Sequence, residues 1–388
     1  MRALWTLVCA VAVGCAQPTP EKTAPVSVQG GTSPTAVTSQ GQLRDDMRRL
    51  WTDHVAYTRF YIMESVADLP AAGATAARLL HNQDEIGDAI KPFYGEAAGN
   101  QLAALLRVHI NGAVEVLNAA KAGDANALRA ASDRWYANAD DIARFLSNAN
   151  PNLSFADMRD MMHVHLDQTI AEATARLNGD WAGDVVAFDG IVQHILDMAD
   201  GLSAAIAAQF PDKVAAGDFP NEDLHLQLRK LWEDHVIWTR VVIISAISDG
   251  PQCAALGDLD TAAARLLRNQ DDIGNLLRPR LGDQTDNLIS LLEAHITIAL
   301  EIVLDAKAGD SAKVADASAR WYQNADDISK LLSDALGLPF GDVDAMMHTH
   351  LDQTLAEAVD RLQKNFEGSI ADYDAIVAHI LEMADAMN

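Results

Sequence analysis

Apolar residues recur at three- and four-residue spacing in long Ala-rich segments, a pattern that predicts amphipathic helices almost from end to end. No run alternates in the manner of a half-buried strand, so the expected fold class is all-α. One position breaks the rule. In "RWYANADDI" at 134–142 the apolar stripe runs Leu128, Ala131, Trp135, Asn138, Ile142, Phe145, and it puts an amide where a hydrophobe belongs. The stretch returns as "RWYQNADDI" at 320–328, with Asn324 in the same place.

That return is part of an internal duplication. "LWTDHVAYTR" (50–59) matches "LWEDHVIWTR" (231–240), and "MMHVHLDQT" (161–169) matches "MMHTHLDQT" (346–354). Two tandem homologous domains are expected, 42–212 and 222–388, with a linker at 213–221. Within the first, His54, His109 and His165 lie on apolar stripes 55 and 56 residues apart, and Asn82, Asn138 and His194 follow each of them by 28 or 29. The midpoints fall at "ADLPAAG", "AGD" and "NGD", where a helix stops and Asp suits the start of the next. Each domain therefore reads as a six-helix bundle of three helical hairpins, with Pro92, Pro151, Pro279 and Pro339 at the boundaries between hairpins.

Packed together, three hairpins stack His54, Asn82, His109, Asn138, His165 and His194 into one polar layer. The second copy repeats it with His235, Asn269, His295, Asn324, His350 and His379. An acid stands three residues after each second-helix member: Glu85, Asp141 and Asp197, then Asp272, Asp327 and Glu382. An unsatisfied buried polar group costs about 1–3 kcal/mol, so such a layer needs partners. One answer is a divalent transition metal, zinc, iron or copper, at one site per domain. His54, His109, His165, His194 and Asp197 would be the ligands of the first, and His235, His295, His350, His379 and Glu382 those of the second. Asn82, Asn138, Glu85 and Asp141, with Asn269, Asn324, Asp272 and Asp327, would then orient the ligands. The other answer is a metal-free network of His–Asn hydrogen bonds that fixes helix register, and a pH-responsive layer is a third.

"HILD" (194–197) and "HILE" (379–382) put an imidazole and a carboxylate at i and i+3 on one helix face. The element resembles, in reverse order, the Glu-x-x-His element of ferritin-like di-iron bundles. It occurs once per domain, so the resemblance implies a mononuclear site. His163 points away from the layer and is expected to pair with Asp167. Glu172 and Glu357 return to the stripe one layer away and call for a cation, either the metal or an arginine such as Arg59 or Arg240. Trp51, Trp135, Tyr57 and Tyr136 read as core, and no "CxxCH" accompanies them to suggest haem. Gly-x-Ser-x-Gly, Walker A, Rossmann, Cys-x-x-Cys, His-Glu-x-x-His and EF-hand signatures are absent.

Composition adds location and partners. "ALWTLVCAVAV" after Arg2 is too short to span as a mature helix, and the following "AVGC" resembles a bacterial lipobox, so residues 1–15 read as a signal peptide with Cys15 lipidated. Residues 16–41, rich in Pro, Thr, Ser and Gly, read as a disordered tether. No other segment looks long enough to span. The expectation is an exported envelope protein that meets the membrane through its anchor only, on the periplasmic or extracellular face. A formal charge of −26 argues against nucleic acid as a partner. With Cys15 acylated and Cys9 cleaved away, Cys253 has no partner and no disulfide supports the fold.

Overall fold

The computed structural model describes residues 38–248 and 256–388; Cys15, most of the expected tether and Cys253 lie outside them. The described residues form twelve α-helices and one two-residue parallel pairing, Thr38–Ser39 (β1) with Val214–Ala215 (β2), which makes the protein all-α. The first six helices are α1 (Gln40–Val66), α2 (Ala72–Tyr94), α3 (Glu96–Ala122), α4 (Ala125–Ala149), α5 (Phe155–Leu177) and α6 (Trp181–Gln209). The last two residues of the expected tether thus belong to α1, which Ser39 caps by accepting from Gln42 N. The second six are α7 (Glu222–Ile247), α8 (Leu259–Leu281), α9 (Thr285–Ala308), α10 (Ser311–Leu336), α11 (Phe340–Leu362) and α12 (Phe366–Ala386).

Within each set of six, every helix packs on its chain neighbours, and α6 and α12 close back onto α1 and α7, giving two six-membered rings. Val37–Asn388 forms one compact unit in which α2 touches α12, α6 touches α8, and α1 touches α7. These contacts explain why α1 is buried on nearly every face from Leu50 to Phe60 and α7 from Trp232 to Ser248. Both serve a ring on one side and the other half on the opposite side. The pairing between halves is reciprocal: Arg78 donates to Asp374 at 2.7 Å, and its counterpart Arg265 donates to Asp189 at 2.9 Å. Matching residues contacting each other both ways is the signature of a local twofold relation.

Two readings of the chain are adjusted. Pro92 and Pro279 lie inside the ends of α2 and α8 instead of between helices; Pro151 and Pro339 do sit outside. Leu259–Ala308 is long and apolar enough to cross a membrane by length and composition, with a window of mean hydropathy 1.6. Here it is two helices of the second ring, broken by a turn at Gly282–Gln284.

The hairpin turns follow the expected logic. Asp124, Asp180 and Asp310 cap α4, α6 and α10 through their carboxylates, and the preceding glycines take left-handed backbone at φ 68° (Gly123), 69° (Gly179) and 75° (Gly309). The fourth such turn places Lys364 at φ 63° where its counterpart is Gly179. A residue with a Cβ pays there, so Lys364→Gly is expected to raise stability by about 1 kcal/mol, read as a higher urea midpoint at unchanged slope.

Candidate metal centre

The two rings hold their polar layers at fixed height through one repeated contact. Asn82 Nδ2 donates to Leu50 O (3.0 Å), Asn138 Nδ2 to Leu105 O (3.2 Å) and His194 Nε2 to Met161 O (2.9 Å). In the second half Asn269, Asn324 and His379 do the same to Leu231, Leu291 and Met346, at 3.0, 3.0 and 2.9 Å. Every acceptor is the carbonyl four residues before the histidine of the preceding helix, so a side-chain donor joins the helix's own N–H at that oxygen. Asn138 therefore addresses the backbone one turn before His109.

Freed from this task, the histidines of α1, α3 and α5 meet in the core. His54, His109 and His165 are buried, with ring centroids 5.5–6.0 Å apart, and one ring nitrogen from each lies within 4.8 Å of the others. Trp51 packs edge-on against His54, and Trp135 tilts over His109 at 5.3 Å. Thr58 and Thr169 donate back to the carbonyls of His54 and His165. The Nδ1 atoms of all three imidazoles make no well-formed hydrogen bond, although the side chains of Gln83 and Asn138 stand beside His54 and His109. Burial drives the imidazoles toward their neutral form. His54 falls to about 4, offset in part by Gln83; His109 falls to about 3, with the charge of His54 adding to the effect. His165 goes well below the ordinary value, through burial and then its imidazole neighbours.

The second half builds the same layer differently. Ring centroids of His235, His295 and His350 are 5.5–6.5 Å apart. His295 Nδ1 donates to Asn324 Oδ1 at 3.2 Å, and His235 Nδ1 lies 3.3 Å from Gln270 Nε2. Only His350 keeps Nδ1 unpaired. The nitrogens of this trio do not converge as closely as those of the first.

Other expected ligands stand elsewhere. His194 and His379 spend Nε2 on backbone carbonyls, and the ring of His194 sits 6.5 Å from that of His165. Asp197 is exposed and accepts from Gln193; Glu382 is exposed and 3.9 Å from His379. Asp141, Asp272 and Asp327 are also exposed, and Glu85 accepts from Arg78 at 2.9 Å. The reason is geometric: three residues rotate a side chain about 300° around the helix, which leaves the acid off the stripe and on its wet edge. His163 pairs with Asp140 of α4 at 2.8 Å, while Asp167, its expected partner, accepts from Tyr136. His348 likewise meets Asp326 at 2.7 Å. Glu172 and Glu357 accept from Arg59 and Arg240 at 2.9 and 2.6 Å.

Gln83 and Gln270, whose Nε2 donates to Oδ1 of Asn82 and Asn269, had been overlooked although they adjoin the stripe. So had the threonines, whose signal is a repeated His-x-x-x-Thr at 54–58, 165–169, 235–239 and 350–354. No family model, curated protein or solved structure matches the chain, and the site stands on its geometry.

The buried histidines make stability depend on pH. Their folded values lie below the ordinary 6.5, as do those of His235 (about 3), His295 (about 4) and His350, so the unfolded chain binds protons first. Stability from this source is fully present above pH 6.5 and falls as pH drops toward 4, by up to about 1.4 kcal/mol per imidazole per pH unit. Asp53 and Glu233, raised by burial to about 7 and about 8, act in the opposite sense and lower stability as pH rises toward those values. Glu172, raised by burial to about 7, acts as they do, and Asp45, Glu357, Asp272 and Asp372 are raised by burial as well. The six imidazoles are thus partly offset, and the urea midpoint is expected to fall only moderately from pH 6.5 to 4.5.

Proposed function

We propose that the protein binds a transition-metal ion in its first half through His54, His109 and His165. What carries this reading is the convergence of three buried imidazoles, each with a ring nitrogen near the others and Nδ1 unpaired. Neutral imidazole is the ligating form, so the donors need no deprotonation. Three nitrogens with one position left for solvent suit zinc, and copper or iron next. No carboxylate joins the group, so an ion there keeps its positive charge for the fourth ligand, which favours an anion such as hydroxide. Sequestration or sensing fits such a centre. The Cys15 lipobox resemblance supports an exported, surface-anchored setting, a reading that rests on the leader alone.

A second reading, in which the layers only set helix register, is favoured by the six side-chain bonds to carbonyls and by the hydrogen-bonded rings of the second half. Two substitutions separate the readings. Under the metal reading the full chain binds one equivalent of zinc in calorimetry, and His109→Leu abolishes this without loss of stability, because it removes a buried group with no partner on Nδ1. Asn138→Leu, which removes the bond to Leu105 O, is expected to cost about 1 kcal/mol and to leave zinc binding in place. Zinc affinity should stay flat between pH 8 and 5.5, where an ordinary histidine site loses ligands to protons. Absence of zinc, copper or iron binding by the folded chain, with stability lost in His109→Leu, would leave the register reading.

A further inference from the structure

A cavity of about 170 Å³ lies between α1, α3, α4 and α5, bordered by Thr58, Ala113 and Thr169, each four residues beyond a histidine of the cluster. The matching space in the second half, bordered by Thr239, Ala299 and Thr354, measures about 40 Å³. The difference is written in α3. Gly112, Val114 and Val116 stand where α9 has Ile298, Leu300 and Ile302. A Cβ on Gly112 would come 2.7 Å from Cδ1 of Trp135, so the indole rests against the helix at a place that Ile298 occupies in the other half. Trp321, relieved of that contact, donates instead to His295 O at 3.0 Å, while Trp135 Nε1 has no partner.

We propose that this cavity is a binding site, present in the first half only, for a small uncharged molecule with an apolar body the size of one aromatic ring or a short alkyl chain. No Asp, Glu, Lys or Arg lines it. The hydroxyls of Thr58 and Thr169 are committed to the carbonyls of His54 and His165, at 2.7 and 2.9 Å, so they offer a guest no free donor, and the unpaired donor on the buried lining is the indole Nε1 of Trp135. Enclosed apolar cavities of about 150 Å³ accept benzene, and this one matches them in size and in its apolar lining while opening to solvent on one side. The half-buried Tyr61 and Ser132 and the exposed Thr174 lie on its lining and mark the way in; Val242 replaces Tyr61 in the second half. The site stands apart from the metal reading, since none of the three imidazoles lines the cavity.

The duplication supplies an internal control. Toluene titrated into the full chain, with Ala and Ile methyls isotopically labelled, should give saturable shifts at Ile110, Ala113 and Ala173, and none at Ile296, Ala299 and Ala358. The double variant Val114→Leu/Val116→Ile narrows the cavity with the residue types found at Leu300 and Ile302 and should weaken toluene at least tenfold. No saturable shift, equal shifts in the two halves, or an unchanged affinity in the folded double variant would overturn the proposal. If the variant does not fold, the methyl map of the native chain decides.

Discussion

Each half depends on a backbone carbonyl that takes a second donor. The oxygens of Leu50, Leu105, Met161, Leu231, Leu291 and Met346 each accept a side chain from the following helix, always one turn before a buried histidine. Apolar ridges alone tolerate sliding by a turn, because a stripe of Ala, Leu and Ile looks much the same one turn along. A polar donor does not, since a slipped register strands it in the core at about 1–3 kcal/mol. The contact therefore fixes the height of every hairpin, and the height places the imidazoles of α1, α3 and α5 at one level. The cluster is a consequence of the register.

The same reasoning applies where the halves meet. α1 from Leu50 to Phe60 and α7 from Trp232 to Ile247 are buried on nearly every face, so their polar side chains must find partners in neighbouring helices. Arg59 is held by Glu172 and Asp184 and covered by Phe188 and Trp238; Arg240 is held by Glu357 and Ser369 and covered by Phe60 and Tyr373. Two further pairs cross between halves, Glu64 with Arg361 at 2.9 Å and Arg176 with Asp258 at 2.5 Å. Buried ion pairs contribute little net stability, but breaking one strands a charge, so they penalise wrong docking more than they reward the right one.

The helices and the layer were legible in the chain because they rest on local periodicity and on a spacing doubled between hairpin arms. Asn138 announced itself as an amide on an apolar stripe, and Asp124 and Gly123 announced a turn. What could not be read was the division of labour inside the layer. A histidine and an asparagine on facing helices look like partners in one dimension, yet the amide reaches past the imidazole to a main-chain oxygen that no side-chain pattern reveals. His194 was read as a ligand for the same reason, since a sequence shows which imidazoles are inside but not what Nε2 touches. The acids at i+3 were misleading in a simpler way. On an ideal helix they lie close enough to a stripe to reach it, and close enough to water to leave it, and only packing decides.

Comparison of the halves shows which features the scaffold needs and which it leaves free. The register donors are retained at all six places, as Asn or His, and the six histidines are retained with them. The surroundings differ. In the second half His295 and His235 turn Nδ1 to Asn324 and Gln270, and Trp321 finds a carbonyl. In the first, the same atoms of His54, His109 and Trp135 are left without partners, beside a larger apolar space. Orphaned polar atoms and an unfilled cavity both lower stability. Around the imidazoles, His54, His109 and Trp135 lack partners that their counterparts His235, His295 and Trp321 find on the same scaffold, so the fold does not impose that difference. The first half is set apart from the second by its open imidazoles and its larger cavity.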